Sequence, residues 1–110
     1  MEHKSITDEL YFCAGQCTRC HDACAIEKEK DKLKRCMQLD QDCAEICRLT
    51  GAFIERGSEN EGLLLKLCAQ VCERCAEECE KHSHMEHCKK CAEACRECAK
   101  RCHNFEPVGS

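Results

Sequence analysis

Seven times in this sequence two cysteines stand four residues apart: Cys13/Cys17, Cys20/Cys24, Cys43/Cys47, Cys68/Cys72, Cys75/Cys79, Cys91/Cys95 and Cys98/Cys102. Three-residue steps join most of these pairs, giving the full string C-x3-C-x2-C-x3-C at Cys13–Cys24, Cys68–Cys79 and Cys91–Cys102. Steps of four and three follow the turn of an α-helix, so each string falls within a strip about 60° wide. Sulfur therefore occupies the inward stripe where leucine and isoleucine normally build a core.

The chain reads as an all-α protein, a single domain over residues 1–110 with helices at roughly 6–30, 32–56, 59–82 and 84–105. Ser5 or Thr7 caps the first helix, Asp31 the second, and Gly57 supplies the C-terminal stop of the second. Ser58 with Glu61, and Ser83 with Glu86, have the spacing of capping boxes for the third and fourth. Short connections make consecutive helices antiparallel neighbours, which predicts an up-down-up-down four-helix bundle with a cysteine-lined core. The second helix carries an incomplete copy of the repeat: Cys36, Cys43 and Cys47 hold three positions and Asp40 the fourth. The fourth gains Cys88 ahead of Cys91, so all sixteen cysteines lie on the stripes.

Antiparallel order sorts the stripe ends into two unlike groups. Ile6, Leu10, Phe53, Ile54, Leu64, Leu65 and Phe105 gather at one end as an apolar plug. Cys24, Leu33, Cys36, Met37, Cys79, His82, His84, His87 and Cys88 gather at the other, rich in metal-binding side chains. His82 continues the third stripe, while His84 and His87 each precede a cysteine by four. Neutral imidazole binds soft metals, so these three histidines are read as a loading mouth that weakens with acid. Met37 and Met85 are expected to pack, and His3, His21 and His103 to be structural or solvent-facing. The charged run Glu27–Arg35 is read as solubilising a helix junction, with guidance of a delivering partner as a second reading. Gly15 and Gly62, inside helices, suggest close helix approach or a subunit contact.

A formal charge of -4, 4% aromatic residues and no tryptophan argue against a nucleic-acid partner. The longest concentrated apolar stretch is Leu63, Leu64 and Leu65, too short to cross a membrane. The N-terminus lacks the apolar segment of a secretory signal, which predicts a cytoplasmic protein. No nucleophilic triad, phosphate loop or paired-carboxylate site stands out, and a non-enzymatic role is expected.

Sixteen inward thiols admit few chemistries. Disulfides need Cα atoms roughly 4.4–6.8 Å apart, whereas packed helix axes are about 8–10 Å apart. Iron-sulfur clusters need sulfurs converging on one point, and neither the bacterial nor the plant-type spacing is present. Zinc in closed four-thiolate sites leaves about -2 per site, or about -8 buried in one narrow core. Copper(I) cancels thiolate charge ion for ion and is the metal that soft sulfur prefers, which predicts about one Cu(I) per cysteine. A general soft-metal or thiol redox buffer, zinc-binding and metallothionein-like, is the alternative.

The repeated C-A-x2-C steps from Cys13 to Cys102, with the HSHMEHC turn at residues 82–88, resemble the four-helix-bundle copper-storage proteins. The resemblance implies Cu(I) ions lining the core on cysteine thiolates and a homotetramer. A copper chaperone is a candidate further partner, apart from the resemblance. Histidines at the mouth are similar to those of the family's cytosolic members. Asp40 departs from the pattern; ligation, pairing with a cation and reduced capacity all stay open for it.

Overall fold

The computed structural model describes residues 5–107, which leaves His3 and the terminal Gly109 and Ser110 outside the described residues. Four helices occupy this span, α1 (Ile6–Ala25), α2 (Lys34–Glu55), α3 (Glu61–Glu80) and α4 (Glu86–Asn104), with a short 3-10 turn over Lys30–Leu33. Each packs its backbone against two ring neighbours, α1 on α2 and α4, α3 on α2 and α4, while the diagonal pair α2 and α4 meets through side chains at the axis, as Cys91 does with Asp40. This is the antiparallel bundle that the cysteine period predicts. Helices of 19 to 22 residues are each about 30 Å long.

The helix ends are less regular than the sequence suggests. Ser5 does cap α1, its Oγ accepting from the Asp8 backbone N–H at 3.0 Å. α1 then stops at Ala25 rather than near Lys30, and Asp31 lies inside the 3-10 turn instead of capping α2. That turn carries Leu33 inward, where it is 3% exposed, before α2 begins at Lys34. Gly57 ends α2 as expected, at φ 65°. The N–H of Gly57 donates to the Ile54 carbonyl and the N–H of Ser58 to that of Phe53, a Schellman closure.

That closure explains why the first capping box does not form. The Ser58 N–H is already used, and Glu61 is buried instead of reaching back to it. The second box is also absent. Ser83 lies within the turn between α3 and α4, and α4 starts behind Met85, with no side-chain cap.

The core is sulfur and alanine. All sixteen cysteines are buried, fifteen of them wholly and Cys102 at 4% exposure, with Ala14, Ala44, Ala69, Ala76, Ala92, Ala94 and Ala99 packed beside them. Alanine beside cysteine on each stripe keeps the helices close, so opposing thiols meet along the bundle axis. Ile6, Leu10 and Leu65 seal one end, supported by partly buried Ile54 and Phe105. Phe53 and Leu64 stand at the rim of this plug, with the Arg56 guanidinium 4.4 Å from the Phe53 ring centre. Thr50, fully buried, closes the α2 stripe there and satisfies its hydroxyl by donating to the Ile46 carbonyl at 2.7 Å.

Gly15 and Gly62 do not mark close approaches within the chain. A Cβ on Gly15 would meet open space, and one on Gly62 only the Pro107 ring at ordinary distance. The tight approach is at Gly51, where a Cβ would fall 2.7 Å from the ring carbons of Tyr11.

Candidate metal centre

Because the four stripes face one axis, each thiol finds sulfur neighbours on its own helix and across the bundle. Along a helix, Cys20/Cys24, Cys43/Cys47 and Cys91/Cys95 are each separated by 4.0 Å and Cys68/Cys72 by 3.9 Å. Across helices the approaches are closer: Cys43/Cys72 3.5 Å, Cys17/Cys95 3.6 Å, Cys36/Cys79 3.6 Å and Cys47/Cys68 3.8 Å. These are contacts between separate thiols. With metal–sulfur bonds of roughly 2.3 Å, two sulfurs sharing one ion stand about 3.8–4.6 Å apart, so small side-chain shifts suffice to seat metal.

The sites overlap. Cys13 belongs to a group with Cys43, Cys47 and Cys72 and also to one with Cys17, Cys43 and Cys95; Cys95 recurs with Cys17, Cys75 and Cys91. Cys47 joins Cys68, Cys72 and Cys98 toward the plugged end. One thiol can thus bridge neighbouring ions, and the column is a lattice of shared ligands.

No lysine, arginine or histidine is among the buried residues described, so the thiols lack a permanent counter-charge. Burial, and then the neighbouring Cys36 charge, push the Cys24 thiol up to about 12. Cys95 is also raised, by its contacts with Cys13, Cys17 and Cys43 and by burial. An empty column is therefore protonated at these positions, and a cation must replace the protons.

Asp40 enters the column at the position of the missing cysteine. It is fully buried, and its Oδ1 accepts S–H contacts from Cys75 at 3.3 Å, Cys91 at 3.3 Å and Cys79 at 3.7 Å. Its Oδ2 is buried without a hydrogen-bond partner. Burial first, then the charges of Cys91, Cys75 and Cys36, push the Asp40 carboxyl up to about 11. Of the roles left open by the sequence, pairing with a cationic side chain is therefore removed.

The histidine end is built from the α1 terminus, the 3-10 turn and the start of α4. His87 Nδ1 lies 3.5 Å from Cys88 Sγ, 3.7 Å from Cys20 Sγ and 3.9 Å from Cys24 Sγ, and these four residues form one candidate ligand group. Its other nitrogen, Nε2, is 3.1 Å from Glu27 Oε2. His82 is turned toward Glu78, with Nε2 3.2 Å from Oε2. Glu78 is itself nearly buried and also receives Arg35 at 2.8 Å and Lys81 at 3.4 Å. Burial alone would raise its carboxyl; hydrogen bonds from His82, Arg35 and Lys81 outweigh burial and hold it below the usual glutamate range. His84 is exposed and lines a surface groove with His82, Met85 and Leu33. His21 pairs with Asp22 and His103 with Glu73, both away from the thiols.

This arrangement has counterparts. The family model of copper storage proteins matches residues 1–107. The chain belongs to the copper storage protein family. Among solved structures, a cytosolic copper storage protein from Streptomyces lividans carrying five coppers is 40% identical, with a TM-score of 0.86, over 89% of this chain and 86% of that one. The Cu(I)-bound copper storage protein BsCsp3 is 35% identical, with a TM-score of 0.85, over 89% and 92% of the two chains. A cysteine-rich protein of Bacillus subtilis, YhjQ, is 38% identical over 77 residues, 70% of each chain.

In this copper storage protein the repeat buries all sixteen cysteines in the interior, and His87 joins Cys20, Cys24 and Cys88 at the mouth. The residues that sequence reasoning missed are the carboxylates behind the histidines. Glu78 was within reach, because it precedes His82 by four on the same helix. Glu27 was not, since its contact with His87 spans 60 positions and depends on where α1 stops.

Proposed function

We propose that this chain keeps Cu(I) in reserve in the cytosol, about one ion per cysteine, without catalysing a reaction. The ligands are Cys13, Cys17, Cys20, Cys24, Cys36, Cys43, Cys47, Cys68, Cys72, Cys75, Cys79, Cys88, Cys91, Cys95, Cys98 and Cys102. His87 takes the first ions, while His82 and His84 receive copper at the surface. One observation carries this reading: an interior column of buried thiols, with neighbouring sulfurs 3.5 to 4.0 Å apart and broken on α2 by Asp40, in which no described basic side chain is buried to balance thiolates. A monovalent soft cation neutralises such a column completely, whereas divalent ions in four-thiolate sites leave it strongly negative.

The test is anaerobic titration of the reduced protein with Cu(I) against a competing chelator. About one tight equivalent per thiol is expected, with the far-ultraviolet circular dichroism unchanged, since the helices need no metal to form. Saturation near four zinc ions, or helices that appear only with metal, favours the general thiol buffer instead. A copper chaperone would deliver to the groove bearing His82, His84 and Met85. Exposed Phe12, Leu49, Leu63 and Leu67 support the homotetramer that the family resemblance implies. Light scattering coupled to size exclusion should return four times the 12.5 kDa chain mass.

A further inference from the structure

The mouth contains a carboxylate whose position the sequence does not explain. Glu27 lies just past the end of α1, in the connection that replaces the last turns expected of that helix. Two backbone bonds shape this corner: the Glu27 N–H donates to the Cys24 carbonyl at 3.2 Å, and the Lys30 N–H donates to the Glu27 carbonyl at 3.3 Å. The corner brings the Glu27 side chain over the first turn of α4, where Oε2 meets His87 Nε2 at 3.1 Å. On the opposite edge of that ring, Nδ1 faces the sulfurs of Cys88, Cys20 and Cys24 at 3.5 to 3.9 Å.

A carboxylate oxygen can only accept, so the nitrogen that meets it is the one bearing hydrogen. In neutral imidazole the other nitrogen then holds the lone pair. We infer that Glu27 is the positioning residue of the copper entry site: it accepts the Nε2–H of His87, fixes the ring, and presents the Nδ1 lone pair to an ion held by Cys20, Cys24 and Cys88. The role rests on the storage reading above. It also gives the early end of α1 a purpose, since a helix continued to Lys30 would not form the corner that carries Glu27 to α4. Partners of this kind behind a metal-binding histidine commonly change metal affinity by about 10- to 100-fold.

Glu27→Ala and Glu27→Gln separate positioning from charge, because glutamine keeps an oxygen that accepts the Nε2–H. Reduced apo protein labelled with nitrogen-15 at histidine, studied by NMR at pH 8, should show a His87 Hε2 proton protected from water. That signal should persist in E27Q and disappear in E27A. On adding one equivalent of Cu(I), the Nδ1 resonance should move while Nε2 keeps its proton. E27A should bind this first equivalent at least about tenfold more weakly than wild type at unchanged total capacity, with E27Q close to wild type. An Hε2 equally protected in E27A, or copper on Nε2 in the wild type, overturns the assignment. Failure of the storage reading has a different signature. A wild-type protein that takes up no Cu(I) sinks both, whereas uptake indifferent to E27A sinks the role of Glu27 alone.

Discussion

Asp40 puts a carboxylate inside the sulfur column, and its protonation state follows from its surroundings. The carboxyl is raised to about 11 in the fold against an ordinary 3.8, so at neutral pH the folded chain holds a proton that the unfolded chain releases. A folded value above the unfolded one means that the contribution of Asp40 to stability is fully present below about pH 4 and declines as pH rises towards the folded value. Each pH unit in that window costs about 1.4 kcal/mol. Asp40→Asn removes the titration while keeping size and polarity. Urea melts of the reduced apo protein should place D40N roughly 2–4 kcal/mol above wild type at pH 7, with the two converging near pH 4. Equal stabilities at pH 7 would mean that the carboxylate ionises in place. The repeat identified this position as exceptional, but not its state. Which groups surround a buried acid is decided by three-dimensional neighbours, here Cys75 and Cys91 on two other helices.

Between elements, Gly51 is the glycine at which α1 and α2 fit tightly. The Tyr11 ring occupies the space of a Cβ there, and the Tyr11 hydroxyl donates to Glu55 at 3.0 Å. Alanine is ordinarily better than glycine within a helix by about 0.5–1 kcal/mol. At this site the gain must compete with displacement of the ring. Gly51→Ala should therefore give no stabilisation alone, but should add about 0.5–1 kcal/mol in a Tyr11→Ala background, as read from a double-mutant cycle of thermal melts. Additive effects would show that the ring moves aside freely. The cysteine period made the helices and their inward faces legible before any coordinates. Their ends were not legible in the same way, because capping signals compete: the Ser58 N–H goes to closing α2, and Glu61 is buried. Glycines carry a similar ambiguity. Gly15 and Gly62 look alike in sequence to Gly51, yet only Gly51 lies beneath an aromatic ring.

At the scale of the whole molecule, the two ends of the rod differ in kind. Ile6, Leu10 and Leu65 seal one end, while His87 reaches the thiols at the other. Replacing His82, His84 and His87 together by alanine should slow copper uptake from a chelator by about tenfold or more, while the final number of ions bound stays within about one of wild type. Stopped-flow uptake and endpoint titration measure the two quantities separately; a large loss of capacity would show that the histidines belong to the store itself. This polarity was legible as two lists of residues, since antiparallel order fixes which ends meet. What the lists did not reveal is that the three histidines are unequal, with His87 against sulfur, His82 held by Glu78 and His84 in solvent. The apolar seal also imposes an order in time. A tube closed at its base works as a stack: the ions that arrive last sit nearest the exit and are the first to leave. Ions around Cys47, Cys68, Cys72 and Cys98, toward that base, are then expected to exchange last, which chasing bound copper with a second copper isotope checks.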